Sequence, residues 1–175
     1  MESLNAQKLG GFNVHFSHEL LNEHECPVCQ LALREPLLTS CGHRLCFSCS
    51  EEKRKRNKGI LKCPLDNSNL NSNETFRDKA IERVIQELNV ICNNSFNNCQ
   101  WTGKLREIDN HLGSCEYQEV KCFNQQCFTS LLRKELRNHT ETTCIYRLVT
   151  CQYCSQKILF YEKLTHLKNC EYLPL

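Results

Sequence analysis

The cysteines are the residues of this chain most able to do chemistry. The 175-residue sequence contains 15 of them, a density typical of a disulfide-stabilised secreted domain or of a metal-binding protein. Because the count is odd, disulfide pairing would strand at least one thiol. The N-terminal residues lack the apolar core of a signal peptide, and no apolar run is long enough to span a bilayer. We therefore expect cysteines that bind metal in a reducing compartment, the cytosol or the nucleus, and predict a cytoplasmic location.

The first cluster of candidate ligands consists of four pairs between residues 26 and 66. Eight ligands suffice for two tetrahedral zinc ions, and carboxylate oxygen is an accepted zinc donor. The order of the pairs resembles a RING finger, whose cross-brace places the first and third pairs on one zinc. That resemblance implies one site made of Cys26, Cys29, Cys46 and Cys49, and a second made of Cys41, His43, Cys63 and Asp66.

Downstream, a unit of three cysteines and one histidine occurs three times. Eleven residues always separate its second cysteine from its histidine. Each unit is predicted to be a short hairpin carrying two cysteines, followed by a helix carrying the histidine and the last cysteine. The candidate ligands are Cys92, Cys99, His111 and Cys115; Cys122, Cys127, His139 and Cys144; and Cys151, Cys154, His166 and Cys170.

These assignments use every cysteine, so a catalytic cysteine would have to be taken from a zinc site. Modules of about 25 residues bury too little apolar surface to fold alone. Structural zinc contributes on the order of 10–16 kcal/mol per site, which offsets the ordering entropy. We therefore predict five zinc ions per chain, each closed by four protein ligands. The remaining histidines, His15, His18 and His24, are expected at the surface.

The elements that position these ligands are predicted to be short. An amphipathic helix is expected after an Asn/Ser-rich loop, with the apolar stripe Ile81, Val84, Ile85 and Leu88. It would pack against the RING-like cluster or the first repeat, or against a second copy of the chain. A second helix is predicted over residues 50–59, whose basic run is interpreted as a solvated face.

The predicted fold class is a row of small zinc-stabilised α+β modules, elongated overall: a cross-brace RING, a connecting amphipathic helix and three CCHC ββα zinc fingers. The predicted boundaries are 1–22 for an N-terminal segment, 23–70 for the RING, 71–91 for the linker with its helix, and 92–116, 117–145 and 146–172 for the fingers.

Several segments resemble the N-terminal half of the TNF receptor-associated factors (TRAFs). GFNVHF and ECPVCQLALREPLLTSCGHRLC match the start and RING of that family, most closely the branch that signals downstream of interleukin-1 and Toll-like receptors. NNCQWTGKLREIDNHLGSC resembles the first TRAF-type finger, and LLRKELRNH and CQYC resemble later ones. The resemblance covers roughly residues 10–172.

The resemblance implies a RING-type E3 ubiquitin ligase, a transferase that holds a ubiquitin-loaded conjugating enzyme (E2) and forms no covalent intermediate. The E2 would dock at Val28, Gln30 and Pro64, where the glutamine replaces an apolar residue. A RING homodimer would use Arg44 and Phe76. The resemblance further implies non-degradative signalling chains in receptor or innate immune signalling, and receptor or adaptor contacts through family regions outside this chain.

Two other functions compete with the ligase. A non-enzymatic scaffold or adaptor that has lost E2 binding is favoured by Gln30 and by the charged helix of the RING. A nucleic-acid-binding protein is disfavoured because the repeats end in His and Cys rather than two His. The total of 22 Lys and Arg nearly balances 20 Asp and Glu, so we expect no nucleic-acid partner. The lack of a long apolar run predicts no membrane span.

Overall fold

The computed structural model of the chain describes residues 10–174, apart from the side chain of Ser72; the part of the predicted N-terminal segment before residue 10 lies outside this range. Short strands and short helices alternate along it. The strands are β1 (His15–Phe16), β2 (Pro36–Thr39), β3 (Arg44–Cys46), β4 (Leu61–Lys62), β5 (Asn69–Leu70), β6 (Thr75–Arg77), β7 (Asn89–Ile91), β8 (Thr102–Lys104), β9 (Glu119–Lys121), β10 (Ser130–Leu132), β11 (Leu148–Thr150) and β12 (Lys157–Leu159). The helices are α1 (Phe47–Arg56), α2 (Lys79–Gln86), α3 (Ile108–Ser114), α4 (Arg133–Asn138) and α5 (Lys163–Lys168).

The chain divides into two compact units. Within the described residues, the first comprises residues 10–95 together with Gln100–His111, and the second comprises Phe96–Cys99 and residues 112–174. None of the helices within residues 10–174 has the length and apolar character needed to cross a membrane.

The RING part of the first unit is built on an antiparallel sheet with the strand order β3-β2-β6. Its core contains the fully buried side chains of Leu33 and Leu45, with Leu37 beside them on β2. The hairpin β4–β5 lies separately and closes over a smaller core of Leu61 and Leu70. Helix α1 begins directly after β3, so it occupies residues 47–56 instead of the predicted 50–59.

The predicted connecting helix is present as α2, but it is shorter than the apolar stripe. The Asp78 side chain caps its first turn by accepting a hydrogen bond from the backbone N–H of Ile81. Ile85 is fully buried and anchors the helix, whereas Val84 is 47% exposed. The helix packs against β2 of the RING and against the turn that follows β8. It therefore contacts both neighbours that the sequence offered as alternatives.

Residues 10–17, which we call the N-terminal strap, run along the RING and then along the first finger. Phe12 forms a backbone bridge to Ala32 of the RING. A few residues later β1 pairs with β7, giving the three-stranded sheet β1-β7-β8. The strap leads to His24, which is only 5% exposed, so the predicted surface position of this histidine is wrong.

The three repeats share one local architecture of an antiparallel hairpin followed by a helix. The hairpins are β7–β8, β9–β10 and β11–β12, and the helices are α3, α4 and α5. Helices α3 and α5 carry the histidine of their repeat, while the last cysteine of each repeat lies just beyond the helical segment. Small α+β modules in series are thus confirmed.

Candidate zinc sites and docking groove

The structure brings together each of the five predicted groups of four ligands. In every group the candidate ligand atoms lie within 4.8 Å of one another. The groups are Cys26, Cys29, Cys46 and Cys49; Cys41, His43, Cys63 and Asp66; Cys92, Cys99, His111 and Cys115; Cys122, Cys127, His139 and Cys144; and Cys151, Cys154, His166 and Cys170.

The first RING group lies where backbone N–H groups point at sulfur. Gly11 donates to the Sγ of Cys29 at 3.2 Å, and Arg34 donates to the Sγ of Cys46 at the same distance. A hydrogen bond from the Cys46 thiol lowers the pKa of Cys26 to about 4, while the bond to Cys26 and burial raise the pKa of Cys46. Neighbouring thiolates repel one another, so sulfurs this close together are all deprotonated only when a cation binds them.

The second RING group is more exposed and contains an oxygen ligand. The Nδ1 atom of His43 lies 3.5 Å from the Sγ of Cys41, 3.4 Å from the Sγ of Cys63 and 3.2 Å from the Oδ2 of Asp66. The Thr39 hydroxyl lies 3.1 Å from the Cys41 sulfur and accepts a hydrogen bond from the His43 backbone N–H. One threonine therefore orients two candidate ligands.

Ser68 fixes the carboxylate of this group. Its hydroxyl donates to the Oδ1 of Asp66 at 2.6 Å, and its backbone N–H donates to the same oxygen at 3.0 Å. These two bonds hold the pKa of the Asp66 carboxyl well below its usual range. Since Oδ1 is occupied by Ser68, the other oxygen is left to face His43. The ligand spacing did not point to this role of Ser68, although the Asp-x-Ser pattern is a typical side-chain-to-backbone turn.

The separations within the groups suit a metal ion rather than disulfides. Zinc bonds of about 2.3 Å to sulfur and 2.1 Å to nitrogen, at tetrahedral angles, place ligand atoms roughly 3.6–3.8 Å apart. The Sγ atoms of Cys99 and Cys115 are 3.7 Å apart, and Cys127 and Cys154 lie 3.4 Å from the histidine nitrogens of their groups. A disulfide bond is only about 2.05 Å long, and none of the 15 cysteines, all of which lie within residues 10–174, forms one.

Tight turns follow three of the ligand pairs whose members are separated by two residues. The residue after the second ligand has a positive φ at Gln30, Asn67 and Ser155, with values of 56°, 61° and 59°. Each donates its backbone N–H to the carbonyl of the first ligand, at 2.8–3.0 Å. A left-handed backbone is unfavourable for a residue with a side chain, by about 1–2 kcal/mol. The repeated geometry is therefore imposed by the need to aim both ligands at one point.

The second finger contains one residue more than the others between its histidine and last cysteine. The structure accommodates that residue in a single π-helical turn, His139–Thr143. The Cys144 N–H bonds to the His139 carbonyl at 2.7 Å, five residues back instead of four. The wider turn returns the cysteine to the ligand group, so the irregular spacing leaves the donor set intact.

An aromatic stack supports the histidine of the first finger. The Trp101 and His111 rings are 4.4 Å apart between centroids and almost parallel, at 7°. Gly103 makes room for the indole, because a Cβ atom there would lie 2.6 Å from a ring carbon of Trp101. Burial lowers the pKa of His111, which favours the neutral ring that metal ligation requires.

A groove of about 740 Å³ lies beside the first RING group. Its apolar surface includes Val28 and Ile60, and Asn67 contributes to its edge. Of the predicted docking residues only Val28 lines it: Gln30 is exposed and Pro64 half-buried, and neither faces the groove. Ile60, which is 53% exposed, was missed because it falls in the turn after α1, outside any ligand motif.

The two residues predicted for a dimer interface have different surroundings. Phe76 lies on β6 and is 63% exposed. Arg44 donates from Nε to the Oδ2 of Asp78 at 2.8 Å within its own chain, and this ion pair lowers the pKa of Asp78. Arg44 thus joins β3 to the capped end of α2.

Two family models match the chain. A RING-type zinc-finger model matches residues 26–64, and a TRAF-type zinc-finger model matches residues 111–166. This chain contains a RING-type and a TRAF-type zinc finger. The zinc-binding character expected from its cysteines is therefore confirmed, as is the family resemblance.

Several curated relatives align with almost the whole chain. TNF receptor-associated factor 6-B of Xenopus laevis is 36% identical over 169 residues, which is 97% of this chain. TNF receptor-associated factor 6 of Homo sapiens is 35% identical over 164 residues, and that of Danio rerio is 34% identical over 162 residues. The chain spans only 29–30% of the length of these relatives.

Proposed function

We propose that this chain is a RING-type E3 ubiquitin ligase that binds a ubiquitin-loaded E2 and promotes transfer of ubiquitin to lysine. The observation that carries the proposal is the groove beside the first RING group, where Val28 and Ile60 offer apolar surface. Apolar surface of this kind supplies the central contact of a small protein interface.

The proposed mechanism is catalysis by positioning. Holding the E2 thioester close to an acceptor lysine makes the reaction effectively unimolecular. All 15 cysteines belong to candidate zinc groups, so transfer passes directly from E2 to lysine without a thioester on this chain. Residues of the groove bind and orient the E2, and they take no proton during the step.

Zinc has a structural role in this proposal. Five ions per chain would be held, one by each group of four ligands, with no position left open for water or substrate. The two RING ions would fix the loops that bear Val28 and Pro64, and the other three would fold the fingers. Total zinc measured against protein concentration tests this number, and two or three ions per chain would contradict it.

The second candidate function is a scaffold that has lost E2 binding. Gln30 is exposed and does not line the groove, but it replaces the apolar side chain that the family resemblance implies at the E2 contact. Helix α1 contributes charged side chains to the groove, among them Glu52 and Lys53. Losing an apolar contact of this size weakens docking by about 1–3 kcal/mol.

The resemblance extends the proposal to partners and location. We place the protein in the cytoplasm, as a homodimer that uses Phe76 and Arg44 and builds non-degradative signalling chains. The relatives' name, TNF receptor-associated factor, supports a link to receptor signalling. Contact with receptors or adaptors would use family regions beyond the aligned part.

Ubiquitin chain synthesis with a panel of E2 enzymes tests the proposed function. Val28→Asp is expected to abolish synthesis at unchanged zinc content, because a charge in the apolar patch has no partner when the E2 is bound. Leu21→Asp is the matched control, since Leu21 is 59% exposed and lies outside the groove. Equal activity of the Val28→Asp variant and the wild type would refute the docking role of the groove.

Gln30→Leu separates the two candidate functions. A wild type that is active with at least one E2, and is made more active by Gln30→Leu, fits the ligase. A wild type that is silent with every E2, together with a Gln30→Leu variant that is active, assigns the scaffold function to the natural chain.

A further inference from the structure

The rim of the docking groove carries an excess of positive charge. Its charged side chains are Lys53 and Arg56 of α1, Lys62 of β4, and a single acid, Glu52. The Glu52 carboxylate already accepts a hydrogen bond from the Nε of Arg56 at 2.8 Å. Within residues 10–174, neither Lys53 nor Lys62 has an ion-pair partner. The two ammonium groups therefore remain available to an incoming ligand.

The elements that bear these lysines are held together by a short turn. The Gly59 N–H donates to the carbonyl of Arg54 at 2.8 Å, and the Asn57 side chain donates to the carbonyl of Ile60 at 3.0 Å. Gly59 has a φ of +88°, a conformation suited to glycine. The turn places apolar Ile60 between the two lysine-bearing elements, so cations flank an apolar surface.

We infer that the groove selects an E2 whose docking loop carries a carboxylate beside its apolar contact residue. This inference rests on the proposed function and names the class of partner for that site. Seating an apolar side chain over Val28 and Ile60 brings the partner loop to Lys53 and Lys62 and displaces water from them. A carboxylate on that loop compensates for the lost water, whereas a lysine or arginine is repelled.

A nucleic acid fits this surface less well. Nucleic-acid grooves combine a continuous track of cations with aromatic stacking surfaces. Here the apolar part of the lining is Val28 and Ile60, with no aromatic side chain among the lining residues, and the lining includes a carboxylate, while the other lysines of this region, Lys55 and Lys58, do not line the groove. An apolar contact combined with a negative charge is what a protein loop offers.

The test uses one E2 that supports chain synthesis with the wild-type chain. It is prepared in three forms that carry Glu, Ala or Lys beside the apolar residue of its docking loop. Binding of each form to the full chain is measured by fluorescence anisotropy at low and moderate salt. We expect the Glu form to bind at least about tenfold more tightly than the Lys form, with a difference that shrinks as salt increases.

Charge reversal in the chain provides the second arm of the test. Lys53→Glu with Lys62→Glu is expected to invert the order, so that the Lys form of the E2 binds best. Lys55→Glu with Lys58→Glu makes the same charge change outside the groove and is expected to preserve the original order. Zinc content equal to that of the wild type establishes that each variant is folded. The first arm of the test uses the unmodified chain, so its result does not depend on the folding of any variant.

The outcomes distinguish this inference from the function on which it rests. If an E2 binds but the order of affinities among its three forms does not depend on the charge of either partner, the inference is overturned and the ligase proposal stands. If no E2 binds the folded chain, both fall. A fluorescein-labelled single-stranded RNA that binds the wild type more tightly than any E2, and loses binding on reversal of Lys53 and Lys62, would overturn the inference in favour of nucleic acid.

Discussion

Replacing Ser68 with alanine is expected to loosen zinc at the second RING group and at no other. The Ser68 hydroxyl donates to the Oδ1 of Asp66 at 2.6 Å and leaves the opposite oxygen facing His43. Without this bond the carboxylate can rotate, and it is the only oxygen ligand among the five groups. Its rotation frees one of the four ligands of this zinc.

The expected loss of zinc affinity depends on the contacts of Asp66 that remain after the substitution. Removing a partner that orients a metal ligand typically lowers metal affinity about 10–100-fold. The backbone N–H of Ser68 still donates to Asp66 at 3.0 Å, and the carboxylate is 37% exposed. Both facts favour the lower end of the range, about tenfold or roughly 1.4 kcal/mol.

Zinc release to a chromogenic chelator measures this effect directly. The Ser68→Ala variant is expected to release one zinc equivalent about tenfold faster than the wild type, with the remaining equivalents unchanged. Ser40→Ala is the matched control, because Ser40 adjoins the ligand Cys41 but its exposed side chain has no hydrogen bond within residues 10–174. Equal release from the two variants would refute the role assigned to Ser68.

Three further substitutions test other features. Gly11→Ala would bring a Cβ atom into steric conflict with the backbone oxygen of Ala32. We expect the first unit to unfold at a lower temperature, with its free energy of unfolding reduced by about 1–3 kcal/mol. Gly103→Ala is expected to displace the indole two residues before it and weaken zinc in the first finger, whereas Gly113→Ala, with open space around it, should leave zinc release unchanged. Phe76→Ala is expected to convert a homodimer to a monomer in sedimentation, and a monomeric wild type would contradict the dimer.

The composition of the ligand groups could be predicted because zinc ligation constrains the spacing of the ligands in the sequence. Cysteine pairs separated by two residues, and a histidine at a fixed distance after them, reflect turns and helices of fixed length. The one irregular interval, between His139 and Cys144, did not obscure the pattern because a π-helical turn accommodates the extra residue.

Helix positions were harder to predict, because metal ligands and strand pairing outweigh intrinsic propensity in modules of this size. Charge pairing favoured a helix over residues 50–59, yet α1 starts at Phe47, directly after the ligand Cys46 that ends β3. The predicted stripe runs to Leu88, but α2 ends at Gln86 because the chain then enters β7 of the first finger.

Contacts formed by tertiary folding could not be predicted from the periodicity of apolar residues in the sequence. His24 lies among polar residues and was expected at the surface, yet it is buried, and its carbonyl accepts the N–H of Leu33 at 2.8 Å. The groove was likewise only partly predicted, since Ile60 and Lys62 reach it through a turn that carries no ligand.

The N-terminal strap sets a time at which the first unit can finish folding during synthesis. The Asn93 side chain donates to the carbonyl of Asn13 across 80 residues, next to the pairing of β1 with β7. At translation rates of about 5–20 residues per second, roughly 4–16 s pass between emergence of the two partners. Throughout that interval β1 has no partner strand, and only near its end, once β6 has emerged, is the RING beside it complete.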